Sequence, residues 1–373
     1  MKEIPINQDN DPKGRLLSRR TLIKLGAAAL LTGCQRIPQS SAPITGGPTE
    51  PSPLPPTAEL TRVETPEPMQ QPSPDATAAD AVGSDDSSPE GESIDRDQPS
   101  AAHSDRPYLA VARGQDPTGI TQAAMAALGG IERFVHSGDD VIIKPNICVS
   151  YHAPEYAVTT NPTVVATLVR LCLGAGARRV RVMDKPFGGA PEAAYAISGI
   201  AEAVQEAGGQ MEIMSPVKYV ETDIPEGRDL AAWKIYQDIL DADVLINVPI
   251  AKHHSLARLT LGGKNFLGVI ENANQMHRNL GQRIADLASR IRPTLTVIDA
   301  VRILVAHGPT GGNLDDVQLT NTIIASHDMV AADAWAATLF GLTGSDIDYV
   351  RAQAEMGLGT LDLSQIKIEE ISV

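Results

Sequence analysis

Four short apolar runs in this chain each end on polar residues that could do chemistry. Val141-Ile142-Ile143 is followed by Lys144-Pro145-Asn146, and Val180-Arg181-Val182-Met183 by Asp184-Lys185. Val244–Val248 leads through Pro249 to Lys252-His253-His254, and Leu295–Ile298 ends on Asp299. Lys144 and Lys252 could hold an anion, joined by Lys264 from Gly262-Gly263-Lys264-Asn265. Ammonium groups are strong point-charge donors to carboxylate and phosphate. His254 could exchange a proton near neutral pH or ligate a metal. Asp184, His253 and His277 bring the N and O donors to the number a zinc- or iron-like site needs, which makes a divalent metal a candidate cofactor. The expected roles are therefore catalytic for His254, Lys252 and Asp184, and substrate-binding for Lys144, Asn146, Lys264 and Asn265. His254, Asp184 and His277 are the candidate metal ligands.

These residues need a scaffold, and the spacing of apolar positions supplies one. Strands are expected at 108–113, 141–145, 180–183, 211–214, 244–248, 295–298, 322–325 and 366–371. Helices are expected at 120–128, 162–173, 199–207, 230–240, 282–290, 330–340 and 347–356. Asn161-Pro162 is a helix start, a side-chain cap followed by proline at the first helical position. Strands alternating with helices predict an α/β fold with a mostly parallel sheet and helices on both faces. The near-continuous apolar strands fit burial on both sides. In such sheets ligands sit outside the carboxyl ends of the strands, where the polar residues above are found. If the chain stays extended beyond Val248, Lys252 and His254 point to the same side.

Several chemistries are excluded. The Gly262–Asn265 turn offers backbone N–H groups and an ammonium to an anion, but it lacks the GxxxxGK[ST] spacing of a P-loop. No GxSxG elbow and no GxGxxG after a strand occur, which removes support for a serine triad or a dinucleotide fingerprint. Gly308-Pro309-Thr310-Gly311-Gly312 reads equally as a tight turn or a ligand-closing loop. Asp333 reads equally as a helix-borne polar contact or as an exposed or capping residue. Three cysteines, none in CxxC spacing, cannot build a self-ligated iron–sulfur cluster. Cys148 and Cys172 read as buried free thiols, with a disulfide as the alternative.

The stretch from Asp140 to Gly359 resembles the uncharacterised bacterial and archaeal family called DUF362. The matching pieces are Ile143-Lys144-Pro145-Asn146, Thr160-Asn161-Pro162, Val248-Pro249 with Lys252 and His254, and Gly263-Lys264-Asn265 with Gly268. Further on are Asp299-Ala300, Gly308-Pro309, Ser326 with Asp328, Ala332-Asp333-Ala334 and Gly357-Leu358-Gly359. Two departures stand out: His253 replaces the threonine frequent in the family, and the ferredoxin-type cysteines fused to some members are missing. The resemblance implies a site at these positions and no settled reaction.

The remaining residues read as an address and a tether. Of the 373 residues, the first 33 carry six Lys/Arg against three Asp/Glu. Ser18-Arg19-Arg20-Thr21-Leu22-Ile23-Lys24 before the apolar run Leu25–Leu31 resembles a twin-arginine (Tat) export signal. That run is too short to span a bilayer. Leu31-Thr32-Gly33-Cys34 resembles a lipobox, which makes Cys34 the expected lipidation site and 1–34 a signal peptide. Residues 35–107 hold 14 of the 27 prolines. With 13 acidic residues against four basic from 34 to 107, this stretch is expected to be a disordered linker. It leads to a folded α/β domain over 108–373. The expected location is extracytoplasmic, on a membrane held through lipid. The folded part carries 21 Lys/Arg against 30 Asp/Glu, and only 3% of the whole chain is aromatic. That balance excludes a nucleic-acid platform. The expected function is binding of an anionic small molecule at the sheet edge, with a metal ion as candidate and a redox or membrane protein as candidate partner. The alternative is a non-catalytic solute-binding or structural lipoprotein.

Overall fold

Asn161 accepts a hydrogen bond from the N–H of Thr163, and Pro162 opens the helix behind it, as the sequence anticipates. The computed structural model describes residues 108–373, so the expected signal peptide, Cys34 and the expected linker lie outside the described residues. The chain begins with β1 (Leu109–Arg113), α1 (Pro117–Ala127), β2 (Asp140–Pro145), α2 (Pro162–Gly174) and β3 (Arg179–Val182). Next come α3 (Pro191–Ile197), α4 (Ile200–Glu206), β4 (Gln210–Met211), β5 (Tyr219–Asp223), β6 (Ala232–Tyr236) and α5 (Gln237–Asp241). They are followed by β7 (Val244–Val248), β8 (Ile250–His254), β9 (Arg258–Thr260), α6 (Gly262–Asn265) and α7 (Leu280–Arg290). The last elements are β10 (Leu295–Leu304), β11 (Val317–Ser326), α8 (Met329–Ala337), α9 (Asp348–Glu355) and β12 (Ile368–Ser372).

The main sheet has the order β12-β1-β11-β10-β7-β2-β3-β4, with β8 attached to β10 and β9 to β8. From β10 through β7, β2 and β3 to β4 every pairing is parallel. Only β11 against β1 and β10, and β9 against β8, run antiparallel. This is the expected α/β class. β2, β7 and β10 carry apolar residues on both sides because both sides are covered. Val141 and Ile143 face a core with Val164, Val165, Leu168 and Val169 of α2, whereas Ile142 joins Leu287 and Ile291 on the other side. Ile298 and Ile324 pack with Val330 and Trp335 of α8. Fully burying each such aliphatic side chain contributes about 1.5–3 kcal/mol. Among the described residues no helix is long and apolar enough to cross a membrane.

Two expectations need correction. Residues 230–240 form no single helix: β6 pairs with β5 in a separate hairpin, with Tyr219 opposite Tyr236 and Val220 opposite Ile235. The aromatic and β-branched cross-strand pairs outweigh a weak helical period. The turn before β6 is fixed by Asp286, whose carboxylate accepts the N–H groups of Arg228, Asp229 and Leu230. The strand expected at 211–214 shortens to the two residues of β4 at the sheet edge. Lys252 and His254 follow β7 and, in the extended β8 that begins just after Pro249, fall on the same side of the strand.

Candidate functional site

Parallel pairing of β2 with β3 and β7 brings three carboxyl ends side by side. Lys144 on β2 is fully buried, and its Nζ lies 2.7 Å from Asp184 Oδ1 just past β3. Asp184 Oδ2 accepts the N–H of Ile147 at 2.6 Å. Burial pulls the Lys144 ammonium down from its usual range and pushes the Asp184 carboxyl up, and their contact opposes both shifts. Gly268 lies directly against this pair: a Cβ there would meet Asp184 Oδ1 at 2.0 Å and Lys144 Nζ at 2.8 Å. Glycine is required at 268 for that approach.

A chain of carboxamides links the pair to its neighbours. Lys144 Nζ donates to Asn265 Oδ1 at 2.8 Å, and Asn146 Nδ2 donates to the same oxygen at 3.0 Å. Asn265 Nδ2 donates to Asn247 Oδ1 at 2.8 Å, and Asn247 Nδ2 to the carbonyl of Gly262 at 3.0 Å. Lys252 Nζ donates to Asn146 Oδ1 at 3.0 Å and to the carbonyl of Val158 at 2.6 Å. Thr160 ties the ends of β2 and β7 together, its Oγ1 accepting from the N–H of Asn146 and donating to the carbonyl of Val248.

Above this layer is a cavity of about 480 Å³. Lys252, Lys264, Lys185, His254 and His277 line it, with Asn146, Asn265, Asp184 and Cys148 and the apolar walls Ile147, Phe187 and Leu267. Lys252 is buried and has only neutral oxygen acceptors. Burial, with Lys252 and Lys144 nearby, pulls Lys264 down to about 7. His254 Nδ1 accepts the N–H groups of Leu256 at 3.1 Å and Ala257 at 3.2 Å. Those two donors leave the proton of the neutral ring on Nε2. Burial, then Lys264 and Lys252, lowers its pKa to about 3, so the ring stays neutral. His254 is therefore a neutral N–H donor, suited to an oxygen that carries charge.

The expected placements divide as follows. Asn146, Asn265, Lys252, Lys264, Asp184, His254 and His277 share the cavity. Lys144 does not face it: this ammonium is already matched by Asp184, which leaves no free charge for an anion. His253 alternates to the other side of β8 and lines a second cavity of about 540 Å³. There its Nδ1 accepts the N–H of Gly308. Asp299 is buried and accepts the N–H groups of Asn161 and Val301, which anchors the start of α2. Asp333 is a buried cap: it accepts the N–H groups of Gly262 at 2.7 Å and Gly263 at 3.0 Å. Those two backbone donors are thus already engaged and do not cradle an anion. Cys148 and Cys172 are free and buried. Pro309 lines the cavity and accepts from Cys148 Sγ, so this turn is part of the wall.

The donor set does not fit a metal. Among the described residues no group of three or more His, Cys, Asp or Glu is placed to hold one. Asp184 is directed at Lys144, and ligation through His254 Nε2 requires moving its proton to Nδ1, against two backbone donors.

Fold and site together define a mostly parallel α/β protein with a lysine-lined cavity at the carboxyl edge of its sheet. Residues 141–338, more than half of the chain, match the family model described as "Domain of unknown function (DUF362)", and the chain belongs to that family. It is 28% identical over 246 residues to the thylakoid-associated protein sll1697 of Synechocystis sp., across 62% of this chain and 72% of that protein. The apoprotein of lactate racemase from Thermoanaerobacterium thermosaccharolyticum superimposes with a TM-score of 0.40 at 10% identity, over 59% of this chain and 54% of that one.

Proposed function

We propose that this chain is an exported, lipid-anchored DUF362 protein that binds an anionic small molecule in the 480 Å³ cavity. The observation that carries the reading is charge balance. Among the described residues, Lys252 and Lys264 line one cavity without a carboxylate partner, and the only carboxylate on its wall, Asp184, is matched by Lys144. Unmatched ammonium groups out of bulk water favour an anion, whose binding restores the balance. The folded part as a whole is acidic, so this positive site is a local construction and not the average of the surface. The His254 Nε2–H adds a neutral donor, and the Asn146 amide holds Lys252 in place.

The twin-arginine pattern, the lipobox at Cys34 and the proline-rich tether support a membrane-held setting outside the cytoplasm. The name of the Synechocystis relative, thylakoid-associated, accords with a membrane association. Substituting Arg19 and Arg20 by Lys is expected to block export, and Cys34→Ala to release the protein from the membrane fraction.

The binding test is the shift in thermal unfolding midpoint with inorganic phosphate and with malonate. A ligand at about 100 times its Kd stabilises by about 2.7 kcal/mol. The expected result is a saturable upward shift that Lys264→Ala removes; an equal shift in wild type and variant would count against the cavity as the site.

A further inference from the structure

The lysines at this sheet edge differ in what their nitrogens already do. Lys144 Nζ donates to Pro145 O and Asn265 Oδ1 and contacts Asp184. Lys252 Nζ donates to Asn146 Oδ1 and Val158 O. Each is engaged as an ammonium with acceptors around it. Lys185 is exposed, its Nζ over the ring of Tyr219 at 5.2 Å. Lys264 is partly buried on the cavity wall, and its Nζ makes no hydrogen bond or ion pair with any described residue. Its backbone is nonetheless held firmly, because Asp333 grips the two residues before it and Asn265 after it is hydrogen-bonded to Lys144 and Asn247.

A positioned amine with no acceptors, a neighbouring cation and an apolar wall is the arrangement that makes a lysine nucleophilic. We propose that Lys264 is a carbonyl-capturing amine that forms an imine with a small 2-oxo acid. This deepens the anion-binding reading and rests on it, since Lys252 and the His254 Nε2–H would hold the acid's carboxylate. The step balances without an oxidant or reductant. The lone pair of the neutral amine forms a C–N bond at the carbonyl carbon, and the C–O π bond opens. Protons move from nitrogen to oxygen, and the C–O bond breaks to release water and leave the C=N bond. In the free protein Lys264, with its pKa at about 7, has a large neutral fraction at ordinary pH; a carboxylate held by Lys252 and His254 raises that value, so trapping should speed up as pH rises.

The full chain is incubated with pyruvate and sodium cyanoborohydride, then analysed by intact mass and peptide mapping. The expected result is one reduced adduct per chain on the peptide holding Lys264, lost in Lys264→Arg and slowed by malonate. No adduct, or label spread over surface lysines and unchanged in Lys264→Arg, overturns the proposal. Calorimetric titration of malonate, which has no reactive carbonyl, separates the two readings. Malonate binding without trapping removes the imine step alone, whereas failure of both removes the anion site. If Lys264→Arg does not unfold cooperatively, the wild-type peptide map still decides the position.

Discussion

Two clusters of charge on this sheet look alike in sequence and differ in physics. Around Asp140 and Arg181, near the amino ends of β2 and β3, each cation has its carboxylates. Arg179 and Arg181 share Asp140, and Arg181 and Lys218 share Glu212 and Asp238. At the carboxyl edge Lys144 has Asp184, but Lys252 and Lys264 have no carboxylate among the described residues. A closed network spends its charges on itself and holds the fold. An open one retains an electrostatic demand that a ligand can meet. The lesson is that charge count does not mark a site; unmatched charge facing a cavity does.

The largest expected effect breaks the closed part of the functional edge. Asp184→Ala strands Lys144 as a buried, unpaired cation and should cost about 3–5 kcal/mol of unfolding free energy by urea denaturation. A loss under about 1 kcal/mol would show that Lys144 does not depend on its partner. Gly268→Ala pushes a methyl group into the same pair and should cost about 1–3 kcal/mol in the same assay. Asp333→Ala leaves the N–H groups of Gly262 and Gly263 without their acceptor, for about 1–3 kcal/mol. It should also weaken malonate binding, since it loosens the turn that carries Lys264. Lys218→Ala sharpens the contrast from the other side. Its pair is partly exposed, so about 0–1 kcal/mol is expected, with malonate affinity unchanged.

Most of the sheet was legible because the strands are buried on both faces and read as unbroken apolar runs. The strand-end rule pointed to Asn146, Asp184, Lys252 and His254, which line one cavity, since position after a strand is a local property; Lys264 and Asn265 entered through the Gly262-Gly263 turn. What was not legible is non-local. That Lys144 is spent on Asp184 depends on parallel register between residues 40 apart, and that Asp333 occupies Gly262 and Gly263 on a contact across about 70 residues. Asn247 was passed over inside an apolar strand, although a lone carboxamide in a fully buried run needs partners and was itself a signal. The β5–β6 hairpin was missed because its pairing, not its residues' helical spacing, decides its conformation. Nor does the sequence tell that His254 Nδ1 accepts two backbone N–H groups, which fixes the tautomer of the neutral ring.

The central claim is that Lys264 awaits an anion, and its proton tests this most directly. With its pKa lowered to about 7, the free amine is mostly neutral at pH 8. A bound anion favours the ammonium and raises that value, so binding takes up a proton and affinity falls as pH rises through about 7. Malonate is titrated calorimetrically at pH 8 in two buffers of different ionisation enthalpy. The account predicts uptake approaching about one proton per site, abolished in Lys264→Ala. Binding with no proton uptake, or uptake that persists in Lys264→Ala, would contradict it.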